Sequence, residues 1–248
     1  MIRHALAVLS IVATMVVGSA VHAQQAGSAT NSLPPALRAA VLSGNGSAIQ
    51  QAIQALSAGN PQVSAQLANQ VVLVAEQLLS TNPQAAVNIA AAAVDVVKAL
   101  PVQNAAPQQT MSTVEAAARI FIAPSVIQVA PQQAGLGAIS ITQVVSSPAV
   151  YASNPAAAIS VMSQAYTTAT NPRVASFSPN TAAQVAQVLN QASQSTPLNS
   201  ANQANGSQIA QILAQTTTQT QQIQQTNNEL APAEQIIQEN TQTSASPS

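Results

Sequence analysis

The chain has 248 residues, of which five are Lys or Arg and six are Asp or Glu, giving a formal net charge of −1 at pH 7. It carries two histidines and no cysteine or tryptophan. That inventory excludes disulfide scaffolds and the thiolate sites that hold most structural zinc, and its few scattered cations build no basic face for nucleic acid.

The first segment reads as an address. Met1, Ile2, Arg3 and His4 make a short positive start, and an apolar run follows that includes Leu6, Val8, Leu9, Ile11, Val12 and Val17. Small residues then precede Gln24, so residues 1–23 match a secretory signal peptide cleaved after Ala23. The run is shorter than the about 20 apolar residues of a membrane-spanning helix. The mature chain is therefore expected to be exported, to the periplasm or the exterior of a bacterial cell, with no transmembrane segment. Cleavage removes both His4 and His22. Without histidine or cysteine there is no Ser-His-Asp or Cys-His system, so no catalytic, cofactor-binding or metal site is expected and the chain is read as not an enzyme.

Residues 24–32 are small and polar and read as a flexible lead-in. Two apolar-periodic stretches follow, separated by Ser43-Gly44-Asn45-Gly46, a strong turn signal. After the turn, Ile49, Ile53 and Leu56 fall on one helical face.

Prolines then organise the chain. Pro61, Pro83, Pro107, Pro131, Pro155 and Pro179 form a ladder whose last five members are 24 residues apart. Pro124, Pro148 and Pro172 each precede a ladder proline by seven residues. A period of this size is the signature of stacked units. Asn60, Asn82 and Asn154 stand directly before ladder prolines, as Ser178 does before Pro179. Each pair reads as an N-cap followed by proline at the first helical position, where its missing N–H costs nothing. Apolar residues recur four, seven and eleven positions after the proline: Val87, Ala90 and Val94; Met111, Val114 and Ala118; Ile159, Met162 and Tyr166. The first unit carries Val63, Leu67, Val71, Val74 and Leu78, and the sixth Val185, Val188, Leu189 and Ala192. Each is one stripe of a helix of about 14–17 residues.

The expected fold is all-α: stacked short-helix repeats of about 24 residues, solenoid-like, over residues 33–196. The six-residue inserts between paired prolines read as short helices. Ser125 to Ala130 has a β-leaning composition, however, and Gly135 and Gly137 weaken the helix that follows. Residues 124–146 are thus the place where an irregular or extended segment would interrupt the stack. Residues 197–240 are rich in Gln, Thr and Asn and read as helical or partly disordered, and residues 241–248 as a loose tail.

Few side chains offer chemistry. Glu115 and Arg119 are spaced i,i+4 and Asp95 and Lys98 i,i+3, the spacings of surface ion pairs. A catalytic carboxylate pair drawn from Glu76, Asp95 and Glu115 is disfavoured, since these lie in separate units. Tyr151 and Phe177 could form a stacking platform for a sugar, although so few aromatics more often fill a core. Arg173 reads as a surface residue or an anion contact. Gly135-Leu136-Gly137 is only a fragment of a phosphate-binding loop. The expected role is a non-enzymatic envelope or secreted scaffold that binds another protein or an envelope polymer. The alternatives are a self-associating surface protein and a carrier of a small apolar ligand.

Overall fold

Every element among the described residues is a helix. The computed structural model describes residues 32–214, so the signal-peptide segment, all of the lead-in but its last residue, and residues 215–248 lie outside the described part. Helix α1 spans Pro35–Ser43, α2 Gly46–Ser57, α3 Pro61–Leu78 and α4 Pro83–Val97. Short α5, Leu100–Ala105, leads to α6, Pro107–Phe121, and short α7, Pro124–Val129, to α8, Pro131–Val145. Short α9, Pro148–Ser153, leads to α10, Pro155–Thr170, and short α11, Pro172–Phe177, to α12, Thr181–Ser193. Short α13, Thr196–Ala201, follows, and a further helix occupies 205–214.

Caps and prolines set these boundaries. The Asn60 side chain accepts from the N–H groups of Gln62 and Val63, Asn82 from Ala85 and Asn154 from Ala157. Asn45 does the same for α2 by accepting from Ala48, just after Gly44 ends α1 with φ 64°, a conformation that favours glycine. Ser178 and Pro179 do not start a helix. Helix α12 begins at Thr181, whose N–H donates to the Ser178 carbonyl, so the two residues form a lead-in turn.

The 24-residue units alternate between two files. Helix α3 packs on α6 and α6 on α10, while α2 packs on α4, α4 on α8 and α8 on α12. Across the files α3 meets α4, α4 meets α6, α6 meets α8, α8 meets α10 and α10 meets α12. The spatial period is therefore two units: α4 and α8 start 48 residues apart, as do α6 and α10. The short helices bridge the stacking gaps. Helix α5 follows α4 in the chain yet packs on α3 and α6, and α7 packs on α4 and α8. They make rows of their own, α5 to α9 to α13 and α7 to α11.

Double-sided stacking explains the burial pattern. The α4 residues Ala86, Val87, Ile89, Ala90, Ala93, Val94 and Val97 are all buried, a wider band than a single stripe. Alanine on the extra flanks keeps helix propensity high while letting neighbours close in. Ile159 and Tyr166 lie at the edge of the band and are partly buried, while Ala158, Val161, Met162 and Ala165 fill the core. Leu56 is likewise off the buried face, 39% exposed, and Ser57 is buried in its stead with its hydroxyl donating to the Gln54 carbonyl.

No irregular or extended segment interrupts residues 124–146. The β-leaning stretch is helix α7, where Val126 and Ile127 are buried, and Pro124 at the first position starts it. Gly135 and Gly137 lie inside an unbroken α8 for a packing reason. A Cβ on Gly135 would meet Val174 Cγ1 at 3.0 Å and Thr181 Oγ1 at 3.1 Å, and one on Gly137 would lie 2.5 Å from Phe121 Cζ. Tertiary packing overrides the weak local propensity. The stack also continues past residue 196: Leu198 on α13 and Ile209 and Ile212 on the next helix are buried in the same core.

Candidate functional site

The departures from the unit pattern converge on one place. At the position of Gly137, other units have Ile89, Thr113, Val161 and Val185, all buried. At the position of Phe121 they have Val97, Val145, Ala169 and Ser193. One unit thus gives up a side chain and its neighbour supplies a fully buried ring, a large-for-small exchange across the two files. At the position of Leu136 the other units have Asn88, Ser112, Ser160 and Gln184. Leu136 is 55% exposed where the pattern calls for a polar residue.

These residues border a cleft of about 410 Å³ between α4 and α8 that reaches the start of α12. Phe121 closes its floor from the opposite file, and Ala91, Leu136 and Ile139 provide apolar wall. Gln133, Ser140, Gln143 and Gln184 supply amides and a hydroxyl, and Asp95 and Lys98 stand on the α4 side.

Asp95 and Lys98, expected as a surface pair, belong to this rim. Although Asp95 is an exposed residue, crowding by the protein raises its carboxyl above the ordinary 3.8, while the Lys98 charge and a hydrogen bond from Gln50 act in the opposite sense. The Gln50 amide donates to Asp95 Oδ2 at 3.0 Å, tying α4 to α2. Among the described residues Asp95 and Lys98 form no salt bridge with each other.

The other charged residues serve the fold. Arg119 pairs with Glu76 on the neighbouring helix of its file, Nε to Oε1 at 2.6 Å, and Glu115 on its own helix contributes at longer range. The hydrogen bond to Glu76 is the main reason the guanidinium is held even more firmly protonated than usual. Glu76 and Asp95 stand on different files, and no acid–base carboxylate pair is assembled from them. Arg173 is not isolated: its Nη2 donates to the Gln128 carbonyl at 2.8 Å, linking α11 to α7, and its guanidinium lies 6.0 Å from the Phe177 ring centroid.

Tyr151 and Phe177 form no platform. Tyr151 is fully buried on α9, where its hydroxyl accepts from Asn202 at 3.1 Å, whereas Phe177 is 61% exposed at the end of α11. Gln103, Tyr151 and Asn199 occupy equivalent places 48 residues apart in the row of short helices. Gln103 donates to the Lys98 carbonyl and Asn199 to the Ser193 carbonyl, each securing its short helix to the end of the preceding long one. Gly135-Leu136-Gly137 forms no phosphate loop, since all three lie within α8.

Among the described residues no cluster of three or more His, Cys, Asp or Glu is placed to hold a metal ion. No described helix is long and apolar enough to cross a membrane. The cleft was not foreseen from the residues: its signal is the coincidence of Phe121, Leu136 and Gly137 as exceptions to their own pattern. No protein family, curated protein or solved structure matches the chain.

Proposed function

We propose that the chain is an exported, non-enzymatic interaction module that holds a protein or an envelope polymer along the outer face of its α4–α8–α12 file. One observation supports this most: amides recur along the face at Asn88, Gln143, Gln184 and Gln191, with Asp95 and Leu136 at the two remaining places. Asp95, Gln143 and Gln191 occupy equivalent places 48 residues apart, as do Asn88, Leu136 and Gln184 on the three stacked helices. A ladder of amides with little charge suits an extended, weakly charged partner, because each Gln side chain both donates and accepts. Stacked helical units commonly present such elongated surfaces. Export rests on the pattern of residues 1–23.

The test is capture from an envelope extract by the chain and by a variant carrying Gln143→Arg, Gln187→Arg and Gln191→Arg. These changes load one face with charge without touching the core. Retention of a specific partner by the parent chain and its loss in the triple variant is the expected result. Equal retention by both removes this face from the reading. Light scattering over a concentration series separates this role from self-association, which would appear as growth in mass.

A further inference from the structure

We infer that the α4–α8 cleft is a binding site for a small zwitterion with an aliphatic body, an amino acid or dipeptide of the leucine type. The inference goes beyond the scaffold reading and does not depend on it.

Three observations carry it. First, the cleft is built rather than left over. In the other units the position of Leu136 is polar and that of Gly137 carries a side chain. Here both are changed together, and Phe121 fills the space beneath Gly137, giving a rigid floor. Second, the apolar surface is small and aliphatic. Leu136, Ile139 and Ala91 form the wall, and Phe121 is wholly covered, so no aromatic face is offered for stacking a sugar ring. A volume of about 410 Å³ lies within the range of small-molecule sites.

Third, the rim carries one charge of each sign, Asp95 in the last turn of α4 and Lys98 at its C-cap, and among the described residues the two form no salt bridge with each other. Asp95 Oδ2 accepts from the Gln50 amide, which ties down a carboxylate that lines the cleft and that we assign to a ligand ammonium. Lys98 supplies the matching donor for a ligand carboxylate. A singly charged ligand would leave one of these charges unmatched, and a strongly anionic or cationic one would meet repulsion from the other. The amides of Gln143 and Gln184 then offer hydrogen bonds to a peptide group.

The test is a titration of the chain, followed by amide chemical shifts, with L-leucine and with L-leucyl-L-leucine. The single-charge analogues 4-methylpentanoate and isopentylamine serve as controls. Saturable shifts at Ala91, Ser140 and Gln143 are expected with at least one zwitterion and at most weakly with either analogue. Asp95→Asn and Lys98→Met should each weaken binding by up to about fivefold, the worth of an exposed ion pair. Leu136→Gln, which installs the residue found at the equivalent place in α12, should weaken it without lowering thermal stability. The inference is overturned if neither zwitterion gives saturable shifts, or if the analogues bind as well as L-leucine. It is equally overturned if binding ignores both charge substitutions. A negative titration leaves partner capture on the outer face unaffected, so the two readings fail separately.

Discussion

The ring of Phe121 occupies the space that a side chain at residue 137 would need, with Cζ, Cε1 and Cε2 within 2.6 Å of where a Gly137 Cβ would lie. Both residues are buried, so neither can yield by turning to solvent. Gly137→Ala gains about 1 kcal/mol of helix propensity but overpacks the core at a cost of about 1–3 kcal/mol. The net outcome is a loss of stability by urea denaturation, and Phe121→Leu in the same chain should recover part of it. Gly135→Ala meets only Val174 and Thr181 at 3.0 Å and beyond and should be close to neutral. Greater damage from Gly135→Ala than from Gly137→Ala would contradict this packing.

Helix starts are set by side-chain caps at some units and not at others. Asn82→Ala should cost about 1 kcal/mol, since Asn82 accepts from the Ala85 N–H. Ser178→Ala should cost little, because α12 begins at Thr181 and Ser178 takes part through its carbonyl. The two variants compared by thermal unfolding separate the cases.

Stacking makes the loss of one core side chain a property of several helices. Met162 is fully buried on α10, which packs on α6, α8 and α12. Met162→Ala should cost about 2–5 kcal/mol and lower amide-exchange protection in all four helices. Protection lost in α10 alone would show that the units fold independently.

Stability should depend little on pH near neutrality, with a slope at each end. Burial raises the Asp95 carboxyl above 3.8, so the folded chain keeps this proton to higher pH than the unfolded chain does. Asp95 therefore makes stability fall as pH rises through the interval just above 3.8. Burial also raises Tyr151 and Tyr166 above 10.0, so the unfolded chain gives up those protons first and stability falls again as pH climbs past 10.0. Asp95→Asn should remove the acid-side slope, and Tyr151→Phe with Tyr166→Phe the alkaline one, in urea midpoints measured across pH. Alkaline slopes that persist in the tyrosine variants would locate the effect elsewhere.

The proline ladder was enough to place α4, α6 and α10, because a proline at the first helical position acts locally, aided at α4 and α10 by an Asn cap; α8 also starts at its ladder proline, although its glycines pointed to an interruption there. Helices α5 and α13 were not visible in the same way: their prolines, Pro101 and Pro197, stand at the second position, one residue out of phase with the paired prolines. The two-file arrangement was hidden because a 24-residue pattern looks the same whether successive units stack directly or alternate. Arg119 shows the same limit at side-chain scale. Its i,i+4 neighbour Glu115 is evident in the chain, but its salt-bridge partner Glu76 lies 43 residues away across a helix interface. The cleft was legible only as three exceptions, at Phe121, Leu136 and Gly137, whose proximity no local rule supplies.

Alternation of units between two files is the central claim, and proton NOE spectroscopy tests it most directly. The chain has two phenylalanines, two tyrosines and no tryptophan, so its aromatic signals are few and assignable. Two cross-peaks are predicted: the Phe121 ring to the Gly137 α-protons, and the Tyr151 ring to the side-chain amide of Asn202, 51 residues along the chain. A helical chain lacking both cross-peaks would contradict the stacked array.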